Sequence, residues 1–244
     1  MKRVIYLLMV MVAAVSCKGY QEKPFGGLNG KVEQVKILQR LPEMWYAGNV
    51  GTDVVGMNAV AYDMFGNELC SALMDSAGQV LSEDENLFEN DVCVRSIHKS
   101  GGRILVRQNL VSAKRGRLEY IREMGGQSTR IVVKKSSFGC WHKSVIYEDG
   151  LMTSINRIRT DFKGYPVVIT EKDLLHQTES REVNKYDKKH NIIEKHIFRT
   201  GEKEKVVYTD YFDFDKHGNW TEARTYNTHR LPEWIITREI KYWE

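Results

Sequence analysis

The pattern Tyr-Asp-x-x-Gly-Asn recurs along this chain, and an internal repeat constrains a fold more strongly than any single residue does. It reads Tyr62-Asp63-Met64-Phe65-Gly66-Asn67, and returns as Phe214-Asp215-Lys216-His217-Gly218-Asn219. Weaker copies are Asp75-Ser76-Ala77-Gly78, Asp161-Phe162-Lys163-Gly164 and Tyr186-Asp187-Lys188-Lys189-His190-Asn191. Asp at the first turn position accepts a hydrogen bond from the backbone N–H two residues on. Gly three residues later takes φ > 0 and closes a type I turn with a G1 bulge. An aromatic before the Asp suits a strand end, where it packs on cross-strand neighbours. His190 fills the glycine slot of one copy, and His is among the few non-glycine residues enriched there. The Asp and Gly residues of the motif therefore build turns, and no catalytic role falls to them.

Stacked hairpins follow from the spacing. Asp161 to Asp187 is 26 residues and Asp187 to Asp215 is 28, which fits two strands and two turns per repeat. The alternation is clearest near the end, with strands predicted at Ile192–Arg199, Lys205–Phe214, Asn219–Tyr226 and Trp234–Trp243. Both faces of these strands carry aromatics, so the sheet is expected to be covered on both sides in places. Lys31 to Leu38 alternates as an opening strand after the Asn29-Gly30 turn signal. Leu41 to Gly56 is irregular. Leu110–Met124 has some helical spacing, but two strands about Gly116 fit as well. The fold class is all-β: an antiparallel meander of β-hairpin repeats forming a curved open sheet or partly closed barrel. The repeat domain is expected over 28–244, as one body or two lobes with a boundary near 125, at Gly125-Gly126.

The N-terminus carries an address. Lys2 and Arg3 form a positive region, and Val4 to Val15 form a twelve-residue apolar run. That run is too short for a mature transmembrane helix, which needs about 20 residues, but it suits a signal peptide. Ala14-Val15-Ser16-Cys17 resembles the lipobox of bacterial lipoproteins, with Ala14 where Leu is commoner. The resemblance implies a signal peptide over 1–16, acylation of Cys17 and a lipid-anchored tether over 17–27. Two or more acyl chains give stable anchoring. Lys18 rather than Asp after the cysteine implies the outer membrane by the same resemblance. The net charge of +4, falling to about +2 without Lys2 and Arg3, gives no basic face for nucleic acid.

Motifs that carry chemistry are few in this chain. Cys70, Cys93 and Cys140 remain after Cys17, and their spacing fits one disulfide with a free thiol or three buried thiols. No Cys-x-x-Cys pair supports zinc. Asp210, Asp213 and Asp215 precede Gly218 as a calcium loop would require, but Arg224 stands where the bidentate Glu belongs, so no metal is assigned. Cross-strand pairing with Arg224 or Lys205 is the use expected for these carboxylates. His190, His196 and His217 fall in the last repeats, two of them in predicted turns. No serine elbow, His-Glu-x-x-His helix or phosphate loop occurs, so neither a catalytic residue nor a cofactor is predicted. Of the tryptophans at 45, 141, 220, 234 and 243, Trp220 and Trp234 are the candidate ligand-binding residues, since they flank turns and the broad apolar face of an indole stacks on sugar rings or another apolar ligand. Core packing is the competing use for both.

Taken together, the Tyr-Asp-x-x-Gly-Asn copies, Gly218-Asn219-Trp220-Thr221 and the closing Ile236–Tyr242 strand resemble tyrosine-aspartate (RHS-like) repeat proteins. More narrowly, they resemble the small envelope lipoproteins of Gram-negative anaerobes that carry such repeats. The resemblance covers Lys185–Glu244 best, then Asn58–Ser82. It implies hairpin architecture and no established reaction. Two functions are expected. One is a non-catalytic envelope lipoprotein that binds a protein or glycan partner. The other is an envelope hydrolase or lipid-carrying chaperone with an aromatic-lined pocket.

Overall fold

The computed structural model of the chain describes residues 27–42, 54–90, 92–114, 116–135, 141–161 and 163–244, without the side chains of Lys135 and Trp141. The signal peptide, Cys17, nearly all of the tether and most of the irregular 41–56 segment lie outside the described residues. The strands are β1 (Val32–Arg40), β2 (Val54–Tyr62), β3 (Glu68–Met74), β4 (Val80–Glu89), β5 (Val92–Ser100), β6 (Arg103–Lys114), β7 (Arg117–Met124) and β8 (Gln127–Lys135). They continue as β9 (Trp141–Glu148), β10 (Leu151–Thr160), β11 (Pro166–Asp173), β12 (Thr178–Tyr186), β13 (Ile192–Arg199), β14 (Lys205–Phe214), β15 (Trp220–Tyr226) and β16 (Pro232–Tyr242). Each pairs with its sequence neighbours, and β1 pairs with β16, so the sixteen-strand meander closes as a barrel. The all-β antiparallel expectation holds. Leu110–Met124 resolves into parts of β6 and β7 either side of Gly116, whose φ is +72°.

The repeat motif accounts for the turns. In Asp63–Asn67, the Asp63 N–H donates to the Asn67 carbonyl at 3.0 Å and the Gly66 N–H to the Asp63 carbonyl at 3.1 Å. Asp63 Oδ1 accepts the N–H groups of Phe65 and Asn67 at 2.8 and 2.9 Å. The same two side-chain bonds recur at Asp75, Asp161, Asp187 and Asp215. The fourth residue is left-handed every time, including His190 at φ +66°. A further copy has neither Asp nor Gly. Asn227 Oδ1 accepts from His229 and Leu231, and Arg230 takes φ +61°. Asn replaces Asp there because the acceptor oxygen, not the charge, is what the turn requires.

By internal packing the described residues fall into two compact units: β9–β13 with most of β8 and parts of β6 and β7, and β1–β5 with β14–β16 and the remainder. In the second unit, Val35 faces Ile240 and Ile37 faces Arg238 across β1 and β16, and Val35 faces Val60 across β1 and β2. This face holds the buried cluster of Val32, Val35 and Tyr62, with Ile37, Val60, Ile240 and Tyr242 against it. Leu38 and Ile235, on the opposite face, are also buried. Both sides of the sheet are therefore covered here, as the aromatics on both faces implied. In the first unit Ile131 and Val132 are adjacent in β8 and both buried, which requires the same.

The seam between β1 and β16 is fastened by one repeat turn. Asn67 and Asn191 spend their side-chain amides on the Asp Oδ2 of their own turns, each at 2.9 Å. Asn219 instead donates to the Asn29 carbonyl at 2.9 Å and to the Tyr242 hydroxyl at 2.7 Å, and its Oδ1 accepts the Asn29 N–H at 2.8 Å. The Tyr242 hydroxyl donates to Asp215 Oδ2 in place of the diverted amide. Gly30 (φ +83°) lies under this arrangement, and a Cβ there would stand 3.1 Å from both His217 Nδ1 and the Tyr242 ring. The opening Asn-Gly signal thus marks the point where the chain's two ends meet.

Candidate functional site

Arg238 is the residue on the seam's buried face whose chemistry does not match its neighbours. It sits mid-strand in β16, opposite Ile37, with Ile236 and Ile240 two places to either side on the same face. Its guanidinium carbon lies 3.4 Å from the centre of the Trp220 ring, and Tyr211 meets that ring at 5.2 Å. Arg238 makes no salt bridge and no hydrogen bond among the described residues, and its Nε is sealed from solvent without a partner. Burial pushes the guanidinium down to about 10, with Tyr211 and Tyr62 acting in the opposite sense, so it remains a cation at neutral pH. Burial pushes the Tyr62 phenol up to about 12; the Glu68 carboxylate adds to this and Arg238 opposes it.

The neighbouring arginines show what ordinary solutions look like. Arg224 packs on Phe212 at 4.4 Å and also closes on Glu222 at 2.8 Å. Arg230 lies 3.3 Å over the Tyr208 ring from an exposed turn, where water solvates its charge. A cation over a ring gains about 0.5–2 kcal/mol, well short of the cost of withdrawing an unpaired charge from water. Trp220 supplies Arg238 with a face but no oxygen.

Of the sequence candidates, Trp220 is half-buried and one of its faces is occupied by Arg238. Trp234 is half-buried opposite Thr225, at the far end of β15 from Trp220, so the two do not form one platform. Trp243 is 37% exposed after β16. Trp45 lies outside the described residues. Sequence reading named Trp220 but not Arg238. The available signal was an arginine alternating with Ile236 and Ile240 on an apolar strand face. Cys70 is exposed on β3, and Cys93 donates its thiol to the Arg95 carbonyl at 3.4 Å on β5. The two are not bridged to each other, and Cys140 lies outside the described residues.

The carboxylates and histidines have local partners. Asp215 serves its turn, Lys205 pairs with Glu233 at 3.3 Å, and Asp210 lies opposite Arg224 in register. His196 is held between Glu194 and Glu204, whose hydrogen bonds raise it above the usual histidine range. His190 stacks on Tyr165 at 4.3 Å and His217 packs on Tyr242 at 4.0 Å. No group of three metal-ligating side chains occurs among the described residues.

Strand faces decide what the barrel can border. In the first unit, Lys172–Glu179 (2.6 Å) and Lys195–Glu182 (3.1 Å) are ion pairs on opposite faces of consecutive strands. In the second, Lys36–Glu239, Lys99–Glu83 and Arg224–Glu222 punctuate one face, while Asp84–His98 and Arg238 stand on the other. No helix among the described residues is long and apolar enough to cross a membrane. Strands that cross one need an outward apolar band about 25 Å tall, and a cation at its centre costs about 2–4 kcal/mol.

No protein-family model matches the chain, and no curated protein matches it. Among solved structures it is similar to a crystal structure described as a porin-like protein from Bacteroides uniformis, with a TM-score of 0.53 and 8% identity, covering 87% of this chain and 99% of that one. The likeness is one of fold: an antiparallel all-β barrel.

Proposed function

We propose that this chain is a non-catalytic binding lipoprotein of the bacterial outer membrane, held by acyl chains on Cys17. The hairpin-repeat barrel, of the tyrosine-aspartate kind, stands in water and offers its strand faces to a protein or glycan partner. The observation that carries this reading is the placement of ion-paired charges on both faces of the strands. Strands of that composition favour water on the outside, so attachment falls to the lipobox. The porin-like description of the structural neighbour favours a second reading, in which the strands themselves cross the membrane. The ion pairs on both faces, Lys195–Glu182 at mid-strand among them, weigh against it. Trp234 remains a candidate for partner contact, and the exposure of Trp243 adds a second. Metabolic labelling with radioactive palmitate tests the anchor. The chain is expected to take up label, and Cys17→Ala to lose all of it. Equal labelling of both, or of neither, refutes the lipobox.

A further inference from the structure

The cation at Arg238 has a ring beneath it, apolar residues beside it and no anion. Its strand neighbours on the same face are Ile236 and Ile240, its cross-strand neighbour is Ile37, and Ala223, paired with Ile236, is 1% exposed. Every other arginine in β14–β16 or its turns has a carboxylate or open water. A largely buried guanidinium that donates nothing to the protein has its strong, planar donor set unused. Stacking on Trp220 fixes the plane of that donor set, so an incoming oxyanion meets it edge-on rather than face-on. Nε is the sealed atom, so the terminal nitrogens are the ones left to meet an incoming group.

We infer that Arg238 receives the oxyanion, a carboxylate or a phosphate, of a small organic ligand whose apolar body packs against Trp220 and Tyr211. The inference rests on the binding reading above and gives it a ligand chemistry. The Arg238 guanidinium supplies paired N–H donors to two oxygens of one group, and the rings exclude water from the contact. A neutral ligand of the same shape leaves the cation unpaired and gains only the apolar contact. The site selects for charge first and shape second.

The test is calorimetric titration of the purified full chain in a non-ionic maltoside detergent. The probes are 3-phenylpropionate, phenyl phosphate and the uncharged methyl ester of 3-phenylpropionate. At least one acid is expected to bind saturably, with the ester at least roughly tenfold weaker. Arg238→Met should weaken the acid by roughly 10- to 100-fold and leave the ester unchanged. The stronger of the two acids identifies the oxyanion. Should Arg238→Met fail to fold by circular dichroism, Arg238→Lys, which keeps the charge and loses the planar fork, should still weaken the acid. Absence of saturable binding by either acid, an ester that binds as well as its acid, or an Arg238 variant that folds and binds unchanged overturns the inference. Palmitate labelling without acid binding sinks this site and leaves the lipoprotein reading standing. Acid binding by an unlabelled chain does the reverse.

Discussion

The turns at Asp187 and Asp215 share a backbone and differ in what they do. In both, the Asp accepts the N–H groups two and four residues on, and the fourth residue is left-handed. At Asp187 the following Asn191 returns its amide to the same carboxylate, so the turn is self-contained. At Asp215 that amide goes to Asn29, 190 residues away in sequence, and Tyr242 takes the vacated place on the carboxylate. A repeat unit that is complete in itself has become a fastener by redirecting one side chain. The redirection occurs where the meander must close, because β1 and β16 share no hairpin to bring them together.

The comparison breaks most readily at Asn219. Asn219→Ala removes three hydrogen bonds at a site only 5% exposed. A loss of about 3 kcal/mol is expected, or roughly 6–12 °C in thermal midpoint. Asn191→Ala should cost under about 1 kcal/mol, since its turn keeps both backbone bonds. Equal losses would mean that the seam bears no special weight. Gly30→Ala comes next, at about 2 kcal/mol or more, because strain at φ +83° adds to a clash with His217 and Tyr242. Gly201→Ala is its control: φ is +80° with open space around it, so only the strain of about 1 kcal/mol applies.

Titration sharpens the same contrast. Tyr242 is pushed up to about 12 by burial and by its bond to Asp215, and burial does the same to Tyr62 and Tyr186. Raised phenols contribute stability that is fully present below the ordinary tyrosine value of 10 and is lost as pH rises toward about 12. Phenolate absorbance should therefore show these tyrosines ionising late, together with alkaline unfolding. Tyr242→Phe should move the alkaline limb, and an unmoved limb would exclude the seam as its origin. A smaller effect is expected at His196. Its raised value means stability present below about 6.5 and lost as pH climbs through the folded value, which proton NMR of the imidazole will locate. Glu204→Gln should lower that value; no change would remove the first cause assigned to it.

Strands were legible where turn chemistry was local. Ile192–Arg199 and Lys205–Phe214 match their predicted bounds, because the Asp-x-x-Gly phrase and alternation specify a hairpin from adjacent residues. The Asn227 copy was readable as a turn but not as a repeat, since its Asp and Gly are both replaced. The seam was not legible. Asn29 and Asn219 carry no pairing signal in sequence, and Asn219 looks the same as Asn67 and Asn191. Trp220 was visible as an aromatic beside a turn. The cation over its face arrives from another strand, through a register that no local pattern encodes.

One measurement bears most directly on the proposal that the barrel stands in water on a lipid tether. The chain beginning at Lys18, purified without detergent, is sedimented and then added to planar lipid bilayers. The account predicts a monodisperse species in plain buffer and no conductance, because ion-paired charges lie on both strand faces, Lys195–Glu182 at mid-strand and Lys172–Glu179 near a strand end. A chain that stays in solution only with detergent and opens conducting steps in the bilayer would contradict it, and would make the strands themselves the membrane anchor.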